Sequence, residues 1–171
     1  MKKLLSNLLE KHPGLDYAFT SRLEGRSQKP FDSNNLAFHV GDKEEDVLRN
    51  HRMLSRSMRY DMNKLVHMRQ IHSTLVHLVT EEDNFQNPPE CDALICNIKD
   101  KPLMIMSADC TPILIYDRLN EAIGVIHAGR AGAMKNIIKA TIEAMSENFK
   151  TEEKELIAVL GPSIHSCCYE V

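Results

Sequence analysis

The chain has 171 residues, of which 43% are hydrophobic and 26% charged, with a formal net charge of −3. This length suits one domain with a sizeable core, and this composition excludes a disordered chain. A weakly acidic protein has no general attraction for nucleic acid or anionic membranes, and no apolar run is long enough to span a bilayer. No signal peptide is recognisable, so we expect a cytoplasmic protein with reduced cysteines.

The first part of the chain predicts short elements around a long loop. Residues 1–11 have the pattern of a short amphipathic helix, and residues 15–21 have the composition of a strand. Residues 22–35 are polar and rich in turn formers, which predicts a loop. Asp42 is a plausible N-cap for the helix that follows, with an acidic residue three positions later as in a capping box. We expect this helix to end near Arg59.

The middle of the chain is rich in β-branched and aliphatic residues. Residues 64–79 alternate in polarity and predict two strands or one bent strand, with a polar bend that exposes His72. Residues 92–98 predict a short buried strand. Apolar runs on both sides of Cys110 predict two more strands, so this thiol is expected where a strand meets a loop.

The last part of the chain predicts a strand, a helix and a final strand. Residues 122–126 form a strand pattern that leads His127 into a glycine turn. Apolar residues recur at helical spacing from residue 131 to about residue 148, and residues 156–160 predict the last strand. The helix begins just after the histidine, and free backbone N–H groups at a helix start suit an anion.

Three side chains form the main candidate site, namely His72, Cys110 and His127. Two imidazoles and a thiolate suit zinc, and three protein ligands leave a fourth position open, as in catalytic zinc sites. The spacing alone is a weak signal, because single histidines and cysteines are usually ordinary buried or surface residues. Two other interpretations stay open: a metal-free cysteine hydrolase with Cys110 as nucleophile and His127 as base, and a non-catalytic binding protein.

Short fragments along the chain resemble the YfiH-like family, whose members are also called polyphenol-oxidase laccase-domain proteins or purine nucleoside phosphorylases. The fragments occur in family order, and together they are specific although each alone is weak. They are NLAFHVGD at residues 35–42, QIH at 70–72, DAL at 92–94, ADCTP at 108–112, HAG at 127–129, GP at 161–162 and CCYEV at 167–171.

The resemblance implies a fold, a cofactor and an activity. The fold is an α/β one with a layered α-β-β-α arrangement, in which helices flank a mixed sheet. The implied cofactor is zinc, with ligands at His72, Cys110 and His127. The implied reactions are phosphorolysis of adenosine, inosine and methylthioadenosine, with deamination of adenosine. An older family label implies copper, which we rank second because one thiol and two imidazoles make a single metal site.

The sequence departs from the family in two places. The family usually follows His-Ala-Gly with Trp-Arg-Gly, whereas this chain has Arg130-Ala131-Gly132. Family members also continue for tens of residues beyond the Tyr-Glu-Val segment. We therefore interpret residues 1–171 as a single YfiH-like domain that lacks the C-terminal part usual in the family.

Further residues are candidates for substrate contacts. Asn35 and His39 are expected either to touch a purine nucleoside or to cap turns, and Gln70 either to line the pocket or to satisfy backbone groups. Arg130, with the helix start, is a candidate for phosphate binding. Asp109 is a candidate for the carboxylate that orients a ligand histidine, or else a buried residue bonded to backbone.

Overall fold

The structure, a computed structural model, describes residues 3–170 of the chain. Residue contacts divide the chain into two units, Met1–Met62 and Asn63–Val171. The strands and helices of the first unit are β1 (Lys3–Leu4), β2 (Phe19–Thr20) and α1 (Glu44–Met58). Those of the second are β3 (Val76–Leu78), β4 (Ala93–Cys96), β5 (Thr111–Asp117), β6 (Ala122–Ala128), α2 (Arg130–Met134), α3 (Ile137–Phe149) and β7 (Leu156–Leu160). Short 3₁₀ turns occupy Met62–Lys64 and Glu153–Glu155.

The helix predicted for residues 1–11 is wrong. Its first two residues lie outside the described residues, and β1 pairs instead with β2 in an antiparallel ladder. The Ser6 carbonyl then accepts the N–H groups of Leu9 and Glu10, which makes a single turn. So short a segment is a marginal helix in water, and pairing with β2 and burial of Leu9 stabilise the alternative. The predicted strand at residues 15–21 is reduced to the two residues of β2.

Helix α1 is confirmed, but its predicted capping box is wrong. The N-cap is Lys43, which makes no side-chain capping bond. Asp42 Oδ1 accepts the Lys43 N–H at 2.7 Å, and Oδ2 accepts Asn35 Nδ2 at 2.9 Å, so this carboxylate organises the turn before the helix. Arg59 ends the helix in a left-handed conformation, close to the predicted end.

Strands β3 to β7 form a mixed sheet in the order β3-β4-β6-β5-β7, which confirms the predicted mixed α/β architecture. Only β3 and β4 are parallel, and the other neighbours run antiparallel. Both faces of β4 are covered. Ala93 and Ile95 belong to a core shared with α3, and Leu94 and Cys96 belong to a second core on the other face. A strand buried on both faces is apolar throughout, as the sequence of β4 is.

The strands predicted in residues 64–79 and before Cys110 are wrong except for β3. Val66 and Leu103 form only an isolated bridge, as do Arg69 and Glu90. Val66 is fully buried in the second core, so its segment packs across a face of the sheet. An apolar segment that covers a sheet has the composition of a strand without extending the ladder.

The single helix predicted from residue 131 to about 148 is two helices, α2 and α3. Asn136 adopts a left-handed conformation with φ of 63° and breaks the helical register between them. Met134, which shares the predicted apolar face, is therefore 77% exposed, whereas Ile137 and Met145 are fully buried.

Among the described residues, no helix has the length and apolar character that crossing a bilayer requires. The cytoplasmic location expected from the sequence stays a prediction.

The break at Asn136 predicts losses of very different size for two matched substitutions. We expect Met145→Ala to lower the free energy of unfolding by about 2–5 kcal/mol, because it leaves a cavity in the first core. The control Met134→Ala changes a mostly exposed side chain and should cost about 0.5 kcal/mol or less. Urea denaturation measures both, and similar losses for the two variants would contradict this packing.

Candidate metal centre

His72, Cys110 and His127 come together from three separate segments of the second unit. His72 lies in the bend before β3, Cys110 directly precedes β5, and His127 is the penultimate residue of β6. Their candidate ligand atoms all lie within 4.8 Å of one another. His72 is exposed, Cys110 is half-buried and His127 is buried. The cluster is therefore fixed on its inner side and open to solvent at His72.

The register of the sheet places two of the three ligands side by side. Antiparallel pairing of β5 with β6 sets Pro112 opposite His127 and Thr111 opposite Ala128. The next step of this register brings Cys110 beside Gly129, where an added Cβ would lie 3.2 Å from the sulfur. Backbone pairing thus delivers the thiol to the end of β6, next to the imidazole.

The carboxylate of Asp92 connects the two histidines. Its Oδ1 accepts His127 Nδ1 at 2.8 Å and the His72 N–H at 3.1 Å. Its Oδ2 accepts the Ser73 N–H at 2.6 Å, the Ser73 hydroxyl at 2.8 Å and the Ile71 N–H at 3.3 Å. The side chain is fully buried, and a buried carboxylate is costly unless its lone pairs are satisfied, as they are here.

The bend at His72 depends on this carboxylate. His72 has a φ of 57°, in the left-handed region that a residue with a Cβ rarely adopts. Three consecutive N–H groups, those of residues 71–73, point at Asp92. Such a nest of backbone N–H groups around an anion stabilises the turn that carries the first ligand.

Asp92 also fixes the proton on His127. Burial raises the pKa of Asp92, but the hydrogen bonds from His127, Ser73 and His72 outweigh it and hold the pKa below its usual value. The carboxylate is therefore ionised at neutral pH and can only accept. His127 Nδ1 then carries the proton, which leaves the Nε2 lone pair for a metal ion.

Gly129 gives the three side chains room to meet. A Cβ at this position would lie 2.8 Å from His72 Cδ2, 3.2 Å from Cys110 Sγ and 3.4 Å from His127 Cε1. The backbone of Gly129 is extended, so the requirement here is space and not an unusual φ.

The Cys110 thiol is protonated at neutral pH when it has no cation beside it. Burial raises its pKa, and the charges of Asp109 and Asp92 raise it further, against a lowering by the hydrogen bond from the Arg130 backbone N–H. A thiol of this kind is a poor nucleophile but becomes a thiolate when it binds a metal ion.

The residues fit a metal ion. Two imidazoles and one thiol, with an oriented histidine and an open side, are the donor set of a three-ligand catalytic site. Bond lengths to zinc of about 2.0–2.3 Å need the donor atoms somewhat closer together than 4.8 Å. The exposed His72 ring stands nearly perpendicular to that of His127, with centroids 4.9 Å apart.

Gln70 links the segment that carries His72 to the segment that precedes Cys110. Its Nε2 donates to the Met106 carbonyl at 2.8 Å, and its Oε1 accepts the Met106 N–H at 2.9 Å. Both ends of the amide are occupied by one residue of the segment before Cys110. Gln70 thus satisfies backbone groups, the second of the two roles expected from the sequence.

The other predicted site residues have different surroundings. Asn35 bonds both main-chain groups of Ala37 as well as Asp42, which makes it a turn-capping residue, and His39 is exposed; both lie in the first unit. Arg130 is exposed at the start of α2. Because α2 has only five residues, the expected dipole at its N-terminus is small.

Asp109 is exposed, so the expectation of a buried residue bonded to backbone is wrong, and the carboxylate that orients His127 is that of Asp92. An orienting role of Asp109 toward His72 stays a prediction. Sequence reasoning missed Asp92 as an orienting residue. The feature of the sequence that could have identified Asp92 is its position as an acidic residue at the start of an apolar strand. A charge at that place requires a buried partner.

Known proteins share this fold and part of this sequence. A family model for multi-copper polyphenol oxidoreductase laccase matches residues 16–171. Purine nucleoside phosphorylase YlmD of Bacillus subtilis is 34% identical over 160 residues, which cover 90% of this chain and 58% of that protein. A purine nucleoside phosphorylase of Bacteroides thetaiotaomicron is 32% identical over 170 residues, with 95% and 63% covered. The chain spans about three fifths of the length of these two relatives.

Solved structures agree with the fold. The crystal structure of Bacillus licheniformis YfiH superposes with a TM-score of 0.86 at 29% identity, covering 89% of this chain and 60% of that one. The structure of YlmD from Geobacillus stearothermophilus gives a TM-score of 0.85 at 28% identity, covering 89% and 59%.

The close approach at Gly129 predicts that Gly129→Ala loses metal. The new methyl group would overlap His72 Cδ2, so we expect this ring to be displaced and bound zinc per chain to fall to less than about a tenth. Gly124→Ala is the matched control, because its Cβ would meet Met145 Sδ at an ordinary 3.5 Å. Elemental analysis after zinc loading and desalting measures both, and full zinc in Gly129→Ala would contradict the geometry.

The bonds of Asp92 predict a graded effect on metal affinity. In Asp92→Asn one of the two accepting oxygens becomes an NH₂ group, which must then face hydrogen-bond donors. This either disturbs the 71–73 turn or reverses the His127 tautomer. We expect zinc affinity to fall about 10–100-fold. Ser73→Ala removes one of the five hydrogen bonds and should change affinity by about threefold or less. Competition with a chromophoric chelator measures affinity, and thermal unfolding checks that both variants fold. Wild-type affinity in Asp92→Asn would refute this role.

Proposed function

We propose that this chain, which belongs to the multi-copper polyphenol oxidoreductase laccase family, is a zinc-dependent purine nucleoside phosphorylase. The proposed substrates are adenosine, inosine and methylthioadenosine with phosphate, and adenosine deamination is proposed as a second activity. The observation that carries the proposal is the convergence of His72, Cys110 and His127 into one cluster whose donor atoms could hold a metal ion. Relatives named purine nucleoside phosphorylases support the reaction class.

The proposed metal ligands are His72, Cys110 and His127, and the proposed metal is zinc. A mixed nitrogen and sulfur set suits zinc, and the single cluster of three ligands found among residues 3–170 matches one metal ion better than the several coppers of a laccase. A zinc ion held by these residues would act as a Lewis acid and would lower the pKa of a bound water molecule. Copper remains the second candidate and is distinguished by metal analysis.

The chain's own residues have separate proposed tasks. Asp92 keeps the proton of His127 on Nδ1 and holds the His72 turn, so both imidazoles are presented without reorganisation. The open side at His72 admits the nucleoside. In phosphorolysis a phosphate oxygen bonds to C1′ of the ribose, the glycosidic C–N bond breaks, and the purine leaves with the electron pair.

Arg130 is the proposed phosphate ligand. Its backbone N–H donates to the Cys110 sulfur, so the residue is anchored beside the cluster, while its side chain is exposed. A guanidinium binds phosphate oxygens bidentately and holds the anion by charge. Because α2 is short, its dipole is small, and the charge of the Arg130 side chain is the main source of attraction for phosphate.

The state of the thiol favours metal chemistry over a metal-free cysteine hydrolase. A nucleophilic cysteine needs a lowered pKa, and burial with two nearby carboxylates raises that of Cys110. The metal-free alternative would require His127 to remove the proton from a thiol whose surroundings disfavour its charged form.

The test is a phosphate-dependent assay on zinc-loaded protein. We expect release of purine base and ribose 1-phosphate from at least one of the three nucleosides, with none in the absence of phosphate. Arg130→Ala should raise the phosphate KM by about tenfold with a smaller change in the nucleoside KM, because it loses a charge-assisted contact. The matched control Lys135→Ala removes an exposed cation at the other end of α2 and should leave both values unchanged.

Three outcomes would contradict the proposal. Base release without phosphate indicates a hydrolase, and activity lost to a thiol alkylator but not to metal removal indicates a cysteine enzyme. Folded, zinc-loaded protein without any turnover indicates a binding protein.

A further inference from the structure

A second cluster of functional side chains occurs in the first unit, on one side of α1. Arg49, Arg52 and Arg56 follow one another at spacings of three and four residues, which places them on the same face of the helix. Together with Arg26 and Met53 they line a concavity of about 290 Å³. The residues proposed for metal and nucleoside binding do not include any of these.

A buried amide fixes Arg26 beside the helix. Asn50 is fully buried on α1, and its Oδ1 accepts the Arg26 N–H at 2.7 Å. Its Nδ2 donates to Ser27 Oγ at 3.0 Å and to the Asn35 carbonyl at 2.8 Å. The loop of residues 22–35, predicted as a loop and confirmed, is thereby pinned to α1, and the fourth arginine is held at the concavity.

The arginines of this cluster are poorly neutralised. Arg49 pairs with Glu45 at 2.5 Å and with Asp46 at 3.6 Å. The side chains of Arg26, Arg52 and Arg56 take part in none of the ion pairs found among residues 3–170. Like charges three or four residues apart on a helix repel one another, and a bound anion removes this repulsion.

The lining indicates the chemistry of the ligand. Guanidinium groups bind phosphate oxygens in bidentate pairs, and several of them match an anion with several phosphates. The apolar part of the lining is Met53, and there is no aromatic ring among the lining residues on which a base could stack. The concavity is shallow and open to solvent, and its volume of about 290 Å³ suits a compact ligand.

We propose that Arg26, Arg52 and Arg56, with Arg49 beside them, bind a compact oligophosphate such as pyrophosphate or tripolyphosphate. The ligand chemistry is a chain of two or three phosphates, either free or as the tail of a nucleotide. Its recognition depends on the oligophosphate and not on a base or sugar. The site is additional to the single phosphate consumed in the proposed reaction.

Calorimetric titration with tripolyphosphate tests the proposal. We expect saturable binding to the wild type and an affinity at least about tenfold lower in the double variant Arg52→Gln/Arg56→Gln, because two charge-assisted contacts are lost. The matched control Lys139→Gln/Lys150→Gln also removes two exposed cations, one from α3 and one from its C-cap, and should bind within about twofold of wild type. Circular dichroism and thermal unfolding check the fold of each variant.

Two further titrations separate the ligand's source and place. ATP binding with the same loss in the arginine variant supports a nucleotide tail as the source, whereas tripolyphosphate binding without ATP binding supports the free anion. His72→Ala should keep tripolyphosphate binding, and its loss there would overturn the proposal by assigning the anion to the metal centre. Because His72 is a proposed zinc ligand, the titration of His72→Ala also separates loss of oligophosphate binding at the arginine cluster from loss of the proposed phosphorylase activity.

Other results would overturn the proposal as well. No saturable binding to wild-type protein removes the site, and equal weakening in the arginine and lysine variants reduces it to net charge. Binding of single-stranded RNA without binding of tripolyphosphate would replace the oligophosphate with a nucleic acid.

Discussion

The buried carboxylate of Asp92 organises the candidate centre, because it accepts five hydrogen bonds from two segments that are distant in sequence. It stabilises a left-handed residue at one ligand and fixes the tautomer of another. Burial of this charge is costly by itself, and only the complete set of donors offsets the cost. The sheet supplies the rest of the geometry, since backbone pairing of β6 with β4 and β5 brings His127 beside Asp92 and Cys110.

This arrangement gives the three ligands different degrees of freedom. His127 is buried within a central strand and is bonded at both its backbone N–H and its ring, so it has little room to move. Cys110 lies at the start of a strand and is held by backbone contacts. His72 is exposed on a bend, so its ring is the one that can adjust to a metal ion or to a substrate. A centre with two fixed ligands and one adjustable ligand keeps its position while remaining accessible.

Residue types alone made His72, Cys110 and His127 a weak candidate set, and the structure brings these three side chains together. The ordered fragments from residue 35 to residue 171 indicated one family, and that resemblance is confirmed. Asp92 could not be recognised as the orienting residue, because its role depends on the pairing of β4 with β6, which is a long-range contact. The local pattern drew attention to Asp109 instead, which lies next to a ligand in sequence but is exposed.

Two errors in the predicted secondary structure arise because local composition and periodicity do not show how a segment packs. Val66, Met68, Leu103 and Ile105 are apolar because they cover a face of the sheet, and composition does not distinguish such a covering segment from a strand. The break between α2 and α3 at Asn136 is likewise invisible to periodicity, since the apolar residues on both sides continue at helical spacing. Its functional consequence is that the segment after His127 is a short helix, which shifts the proposed phosphate contact from a helix dipole to the side chain of Arg130.

X-ray absorption at the zinc edge, on the zinc-loaded wild-type chain, tests directly whether the three side chains form one metal centre. We expect one sulfur neighbour at about 2.3 Å and two imidazole nitrogens at about 2.0–2.1 Å, with the sulfur contribution lost in Cys110→Ala. A zinc site without sulfur, or a sulfur signal that survives Cys110→Ala, would contradict the assignment of His72, Cys110 and His127 as one metal centre.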